Sequence, residues 1–197
     1  MSITSSFYEE NAESLAEQYN ALLSTKVHNV WKEYWPSSGN DVLDIGAGSG
    51  RDSLWLTTRG CQVIACEPCN KLREIGETLT GNDVHWFDDK LPNLDRISKQ
   101  GQKFDAILLS AVWMHIPINL RKSAFQALVS LMKSDGIIVI SLRHGPFRDR
   151  RESCPVSVTE LKELASNSNL AVIDVFDGDD MQCRQEVSWQ TVVMLNK

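Results

Sequence analysis

The 197-residue chain has no apolar run approaching the roughly 20 residues that a bilayer-spanning helix needs. Its opening stretch, MSITSSFYEENAESLAEQYN, lacks a basic flank followed by an apolar segment. No secretory leader is therefore expected, and the protein is read as soluble and cytoplasmic. Cysteine is sparse and poorly spaced for a disulfide framework: Cys61, Cys66, Cys69, Cys154 and Cys183 are odd in number and scattered. Cys66 and Cys69 form a CEPC tetrapeptide, but no second ligand pair completes a zinc site. No metal is expected, and the thiols are read as small buried apolar residues in a reducing compartment. Positive charge is in deficit, with 20 Lys and Arg against 26 Asp and Glu and a net charge of -6. That balance argues against a nucleic-acid binder, whose affinity comes largely from cations displacing counterions. RHGPFRDRR, residues 143–151, is a local basic stretch that reads as a solvated loop or a small patch. Repeats and low-complexity linkers are absent. The expectation is a single domain over 1–197, with a helical cap at 1–38 and a core at 39–197.

Within the cap, residues 6–23 place Tyr8, Ala12, Leu15, Ala16, Tyr19, Leu22 and Leu23 at helical spacing, behind a capping-box pattern of Ser6 and Glu9. A second short helix is expected over 25–34, before Pro36, Ser37, Ser38 and Gly39 break the chain. From residue 41 apolar runs alternate with helical patterns: VLDI, QVIAC, VHWF, DAILLS, IIVISLR, AVIDVF and VSWQTVVML read as strands. Helices are expected between them, including 118–132 and 158–165. This rhythm predicts an α/β fold, a Rossmann-like doubly wound, mostly parallel seven-stranded sheet. The last two strands are joined by DGDDMQCRQE with no helix between them, which predicts a terminal antiparallel hairpin.

The first strand runs into a glycine-rich turn, VLDIGAGSGRD. In open α/β sheets ligands bind beyond the carboxyl ends of the strands, and such a turn lets a ligand approach the main chain. Glu67 ends the second strand, about 20 residues on, where a carboxylate accepts hydrogen bonds from ribose hydroxyls. A dinucleotide fingerprint would read G-x-G-x-x-G, whereas Arg51 stands where its last glycine belongs. No Gly-Lys-Ser/Thr follows either, so this is not a phosphate-cradling P-loop. The loop fits a ribose-bearing ligand without a pyrophosphate.

VLDIGAGSGRDSLWL, IACEP and FDAILLSAVWMHIP, in that order and spacing, resemble the class I S-adenosylmethionine-dependent methyltransferases. Within that superfamily the GSGRDSLWL turn resembles the tellurite-resistance and other small-molecule enzymes. The resemblance implies S-adenosylmethionine as cofactor and S-adenosylhomocysteine as product. It places Gly46, Ala47 and Gly48 against the methionine and ribose portion, Asp44 near the loop and the methionine ammonium, and Glu67 with Pro68 at the ribose. Either Asp88 or Asp89 accepts from the adenine amino group. Arg51 either pairs with the methionine carboxylate or is an ordinary first-turn residue. Ser110 and Ala111 border the cofactor, and Trp113 lies either on the adenine side, against the sulfonium, or in the core. Tyr19, on a helix that acts as a lid, contacts the cofactor. Candidate catalytic residues are His115, the best-placed base, and His144 and Arg143 beyond the fifth strand. Arg143 suits a carboxylate or phosphate on the acceptor.

The expected partner is a small-molecule acceptor, with no nucleic acid or membrane and no oligomeric state specified. An RNA or protein methyltransferase is the runner-up. Acidic charge and SAVW, where many amino-methylating nucleic-acid enzymes carry Asn/Asp-Pro-Pro-Tyr/Phe, count against it. A catalytically silent cofactor-binding module is a third reading, and NAD-linked redox is disfavoured by Arg51.

Overall fold

The computed structural model describes residues 2–197. Its strands are β1 (Asp41–Ile45), β2 (Gln62–Cys66), β3 (Val84–Phe87), β4 (Phe104–Leu109), β5 (Met132–His144), β6 (Leu170–Gly178) and β7 (Ser188–Asn196). The helices are α1 (Ile3–Asn20), α2 (Ser24–Val27), α3 (Arg51–Thr58), α4 (Asn70–Thr80), α5 (Asp95–Ser98), α6 (Arg121–Leu131) and α7 (Val158–Ser166). One seven-stranded sheet runs in the order β3-β2-β1-β4-β5-β7-β6. The first five strands pair in parallel, and β7 is antiparallel to both β5 and β6.

Inner parallel strands are covered on both faces, and for that reason they read as unbroken apolar runs. Side-chain alternation splits each run between two cores. Leu43, Ile45, Ile107, Leu109, Ile138 and Ile140 pack with Phe125 and Leu128 of α6 on one face. Val42, Val63, Ala106, Leu108 and Val139 meet Trp31, Trp55 and Leu56 on the other. The expected hairpin is present, with an order the connection alone does not dictate: β7 lies inside the sheet and β6 at the edge. Burial explains it. Val192, Val193 and Met194 of β7 are fully enclosed, whereas β6 is mostly half-exposed.

Several boundaries differ from expectation. The Ser6/Glu9 capping box does not form, because the helix starts earlier. Ser2 is the N-cap and its side chain accepts from Ser5 N at 3.1 Å. That helix ends at Asn20, leaving Leu23 exposed. The segment 25–34 is the short α2 followed by a 3-10 stretch, Asn29–Tyr34, kinked at Trp31. The helix expected over 118–132 is a 3-10 turn at Ile118–Leu120 and then α6, and β5 already begins at Met132. Of the cysteines expected to be buried, Cys61, Cys66 and Cys69 are; Cys154 is half-buried and Cys183 exposed.

Candidate active site

The sheet's connection order reverses between β1 and β4, which opens a crevice at their carboxyl ends. Two loops flank it. After β1, Gly46 and Ala47 donate their N–H groups to Cys66 O at 2.8 and 3.0 Å, tying the turn to the end of β2. Gly46 has φ +65°, and a Cβ there would stand 2.6 Å from Val112 Cγ2, so the glycine is needed for contact with the second loop. Gly48, at φ +57°, has no heavy atom within 4 Å of a Cβ position. Main chain is bare there, with room for ligand atoms against it. After β4, Ala111 also takes a positive φ of 61° and donates its N–H to Ser141 Oγ at 2.7 Å.

Glu67 follows directly on β2 and is 7% exposed. One carboxylate oxygen accepts from Gly48 N at 2.9 Å and the other from Cys69 N at 2.8 Å. Burial pushes its carboxyl up to about 7 against these two N–H donors. Each oxygen keeps a further lone pair. Pro68 is exposed beside it. Asp44 is buried on the α3 face of β1, where it accepts from Ser53 Oγ at 2.6 Å. Burial first, then the neighbouring Asp52, raise it to about 7. Arg51 grips Asp52 through two hydrogen bonds of 2.8 and 2.6 Å. His28 Nε2 stands 3.1 Å from the same carboxylate, out of hydrogen-bond alignment. Burial opposes ionisation of Asp52, but His28 and Arg51 outweigh it and hold the carboxyl well below its usual range.

Beyond β3 the two candidate acids separate. Asp89 is 9% exposed and fully engaged, accepting from Lys90 N, Arg96 N and Ile97 N at 2.9, 2.8 and 3.0 Å. It organises the start of α5, and its carboxylate is engaged within its own loop. Asp88 has a half-exposed side chain, with only Arg73 near it at 3.7 Å.

An adjoining cavity, open to solvent, is lined on the sheet side by Ser110, Ala111, Ser141 and Arg143. Tyr8 and Tyr19 of α1, with Arg51 and His28, form another wall, and His115, Phe147 and Arg151 a third. His115 is bonded at both nitrogens: Nδ1 lies 3.1 Å from Glu152 O and Nε2 3.2 Å from Tyr8 Oη. A carbonyl only accepts, so Nδ1 carries the proton and Nε2 accepts from the phenol. Burial lowers the imidazole's pKa, with Arg151 and Arg143 adding to the effect, which keeps the ring neutral. The Tyr8 phenol is raised above its ordinary value by burial and then by Tyr19. Arg151 reaches Tyr19 Oη at 3.2 Å and is itself paired with Asp149.

Two candidates fall outside the cavity. Trp113 is fully buried in a 3-10 turn, edge-on to Phe125, with Nε1 3.4 Å from Glu160; it is core, not a cofactor contact. His144 follows Arg143 on β5, so strand alternation turns it to the other face, where Nε2 lies 3.1 Å from Gln190 Oε1. It is not positioned as a base. Tyr8, by contrast, was not a site candidate. Its only sequence signal was a place on the apolar face of the first helix.

The first helix closes over the crevice. Ala12 and Ala16 pack on Cys69 and Leu72, with Tyr8 and Ile75 at the margin. Glu9 Oε1 accepts from Asn70 N at 2.5 Å at the head of α4, and Asn20 Oδ1 accepts from Ser49 Oγ at 2.8 Å in the glycine loop. The loop after β5 clasps α1 from outside through Glu152 N donating to Thr4 Oγ1 at 2.9 Å and an Arg150–Glu10 ion pair.

A mostly parallel seven-stranded sheet with one reversed inner strand, a glycine loop after β1 and an acid at the end of β2 is the architecture of the class I methyltransferases. Residues 15–175 match the family model described as a methyltransferase domain, and the chain belongs to that family. Solved structures agree in fold. A TehB-like SAM-dependent methyltransferase from Corynebacterium glutamicum ATCC 13032 Kitasato aligns over 95% of this chain and 99% of its own, with TM-score 0.68 and 18% identity. The Burkholderia thailandensis 1,6-didemethyltoxoflavin-N1-methyltransferase, solved with 1,6-didemethyltoxoflavin and S-adenosylhomocysteine bound, aligns over 99% of this chain and 88% of its own, with TM-score 0.75 and 16% identity. An uncharacterized methyltransferase of Staphylococcus carnosus (strain TM300) is 29% identical over 102 residues, 50% of this chain and 45% of that protein. The chain spans about half the length of the curated relatives it matches. Among the described residues no helix is long and apolar enough to cross a membrane, and no cluster of His, Cys, Asp and Glu could hold a metal ion.

Proposed function

We propose that this chain transfers the methyl group of S-adenosylmethionine to a small-molecule acceptor. The observation that carries the reading is Glu67: a buried carboxylate at the end of β2, fixed by two backbone N–H bonds, beside main chain left bare at Gly48. When bound, the cofactor supplies a methyl group already activated on a sulfonium sulfur. Glu67 accepts from the ribose hydroxyls, Asp88 serves the adenine amino group, and Arg51, oriented by Asp52, faces the methionine carboxylate. The cavity between Ala111, Ser141 and Tyr8 receives the acceptor, and α1 excludes water from it. Holding both reactants in line is the main catalytic task, an effect worth roughly 7–11 kcal/mol in favourable cases. Where the acceptor atom carries a proton, Tyr8 takes it while passing its own to His115 Nε2, the nitrogen already accepting from the phenol.

Calorimetric titration of the full chain with S-adenosylhomocysteine, with NAD as control, tests the cofactor reading. Binding of the first ligand, none of the second, and a loss of about 1.4 kcal/mol or more (tenfold in Kd) in Glu67→Ala are expected. NAD binding, or equal affinity in the variant, would overturn it.

A further inference from the structure

The acceptor cavity contains a guanidinium that no carboxylate answers. Arg143 is 7% exposed and lines the cavity floor beside Ser141. It donates to Gly145 O at 2.7 Å and Pro146 O at 3.0 Å, and its Nε is buried without a partner. Two of its five donors are thus used, both by neutral acceptors. The cavity's other guanidiniums are each neutralised. Arg151 is bonded twice to Asp149, at 2.9 and 2.7 Å, Arg184 twice to Asp180, at 3.0 and 2.6 Å, and Arg51 twice to Asp52, at 2.8 and 2.6 Å. In the neighbouring cleft Arg148 pairs with Glu186 at 3.1 Å, and Asp179 lines this cavity as an exposed residue. Among the described residues Arg143 alone is a buried cation in this cavity without a carboxylate partner.

Such an arrangement is costly unless something compensates it, because a buried charge needs both hydrogen bonds and an opposite charge. Burial lowers the Arg143 pKa, and Arg184 and Arg151 lower it further, so its nearest influences include cations as well as Asp180 and Asp149. Its position is nevertheless fixed. The loop carbonyls hold the fork from one side, and Phe147 lies 4.1 Å below the guanidinium carbon. A planar, oriented cation with unused donors, in a cavity of an otherwise acidic protein, has the chemistry of a carboxylate or phosphate receptor.

We propose that Arg143 is the anion-recognition residue of the acceptor half of the cavity, so that the methyl acceptor is a small molecule bearing a carboxylate or a phosphate. This rests on the methyl-transfer reading for what the anion is there to do, though not for whether it binds. Ser141 and Arg143 share one face of β5, two residues or about 7 Å apart. The anionic group is therefore held a short distance from the loop that borders the cofactor.

The test uses the full chain, with and without S-adenosylhomocysteine, titrated calorimetrically with benzoate, phenyl phosphate and the neutral isostere benzamide. One or both anions should bind at least about tenfold more tightly than benzamide, the size of a charge-assisted hydrogen bond. The stronger anion names the group. Arg143→Met should abolish the preference while leaving S-adenosylhomocysteine affinity unchanged, and Arg143→Lys, which keeps the charge but not the fork, should retain part of it. Equal binding of benzamide, no binding of either anion, or an undiminished preference in Arg143→Met would overturn the proposal. Failure of the cofactor reading appears separately, as absent S-adenosylhomocysteine binding in the wild type, and leaves the anion titration of the free chain readable. If neither variant folds, the wild-type comparison of both anions with benzamide still decides: no preference for either would overturn the proposal.

Discussion

Burial and the proposed ribose contact pull the ionisation of Glu67 in opposite directions. Burial raises its carboxyl to about 7, so the free protein holds a proton there below neutral pH. On the proposed reading, two ribose hydroxyls, both donating, require the anion. Binding below pH 7 must therefore expel a proton, and S-adenosylhomocysteine affinity should fall as pH drops, by about tenfold per unit well below the pKa. Calorimetry at a series of pH values checks this. Asp44 titrates in the same region, so Glu67→Gln is the control and should lose most of the slope. The stability sign is opposite: a carboxyl raised by folding binds a proton the unfolded chain has released, so the unliganded fold loses stability as pH rises toward 7. The place of Glu67 after β2, tied to the glycine turn, was legible in the sequence because it depends on two local signals, a strand end and its spacing from that turn. The directions of the Trp113 and His144 side chains were not legible there. The positive φ at Ala111 and the 3-10 turn behind it swing Trp113 into the core, and strand parity alone removes His144. Tyr8 meets His115 across 107 residues of chain, a juxtaposition no local pattern encodes.

At the scale of elements, adjacent residues with the same side chain are assigned to different work by the loop that holds them. Asp89 belongs to α5. Replacing it with alanine strands three backbone N–H groups in a nearly closed site, at a cost of about 1–3 kcal/mol in denaturant unfolding. Cofactor affinity should be little changed. Asp88→Ala should do the reverse, weakening S-adenosylhomocysteine severalfold while changing stability by no more than about 0.5 kcal/mol. Equal effects of the two would remove the distinction. The sequence placed every strand, and the inner parallel ones most plainly, because buried parallel strands carry their own apolar signature. It was weaker at helix ends, where Ser2 rather than Ser6 is the cap. Glu9, expected to close a capping box within its own helix, instead bonds the head of α4.

Across the molecule, α1 is held by two alanines on Cys69 and Leu72 at the head of α4, polar bonds at its two ends, Tyr8 and Tyr19 against His115 and Arg151, and the loop after β5. Tyr8 and Tyr19 of this helix wall the cavity, and on the proposed reading of α1 as a lid ligand entry requires it to lift. Hydrogen exchange should find the α1 amides opening more readily than those of β1 and β4 in the free protein, and S-adenosylhomocysteine should slow them selectively. Uniform protection of the whole chain would speak for a fixed helix instead. The placement of β7 has a consequence for how the protein is made. β6 pairs with β7 and with no other strand, and β7 also covers the flank of β5. A nascent chain on the ribosome that has not yet emitted residues 188–196 can assemble five strands, but β5 is then an open edge and β6 has no ladder to join. Such an edge is a template for unwanted pairing with another chain. The ribosome must deliver residues 188–196 before the sheet can be sealed, so the window for chaperone capture stays open until β7 has emerged.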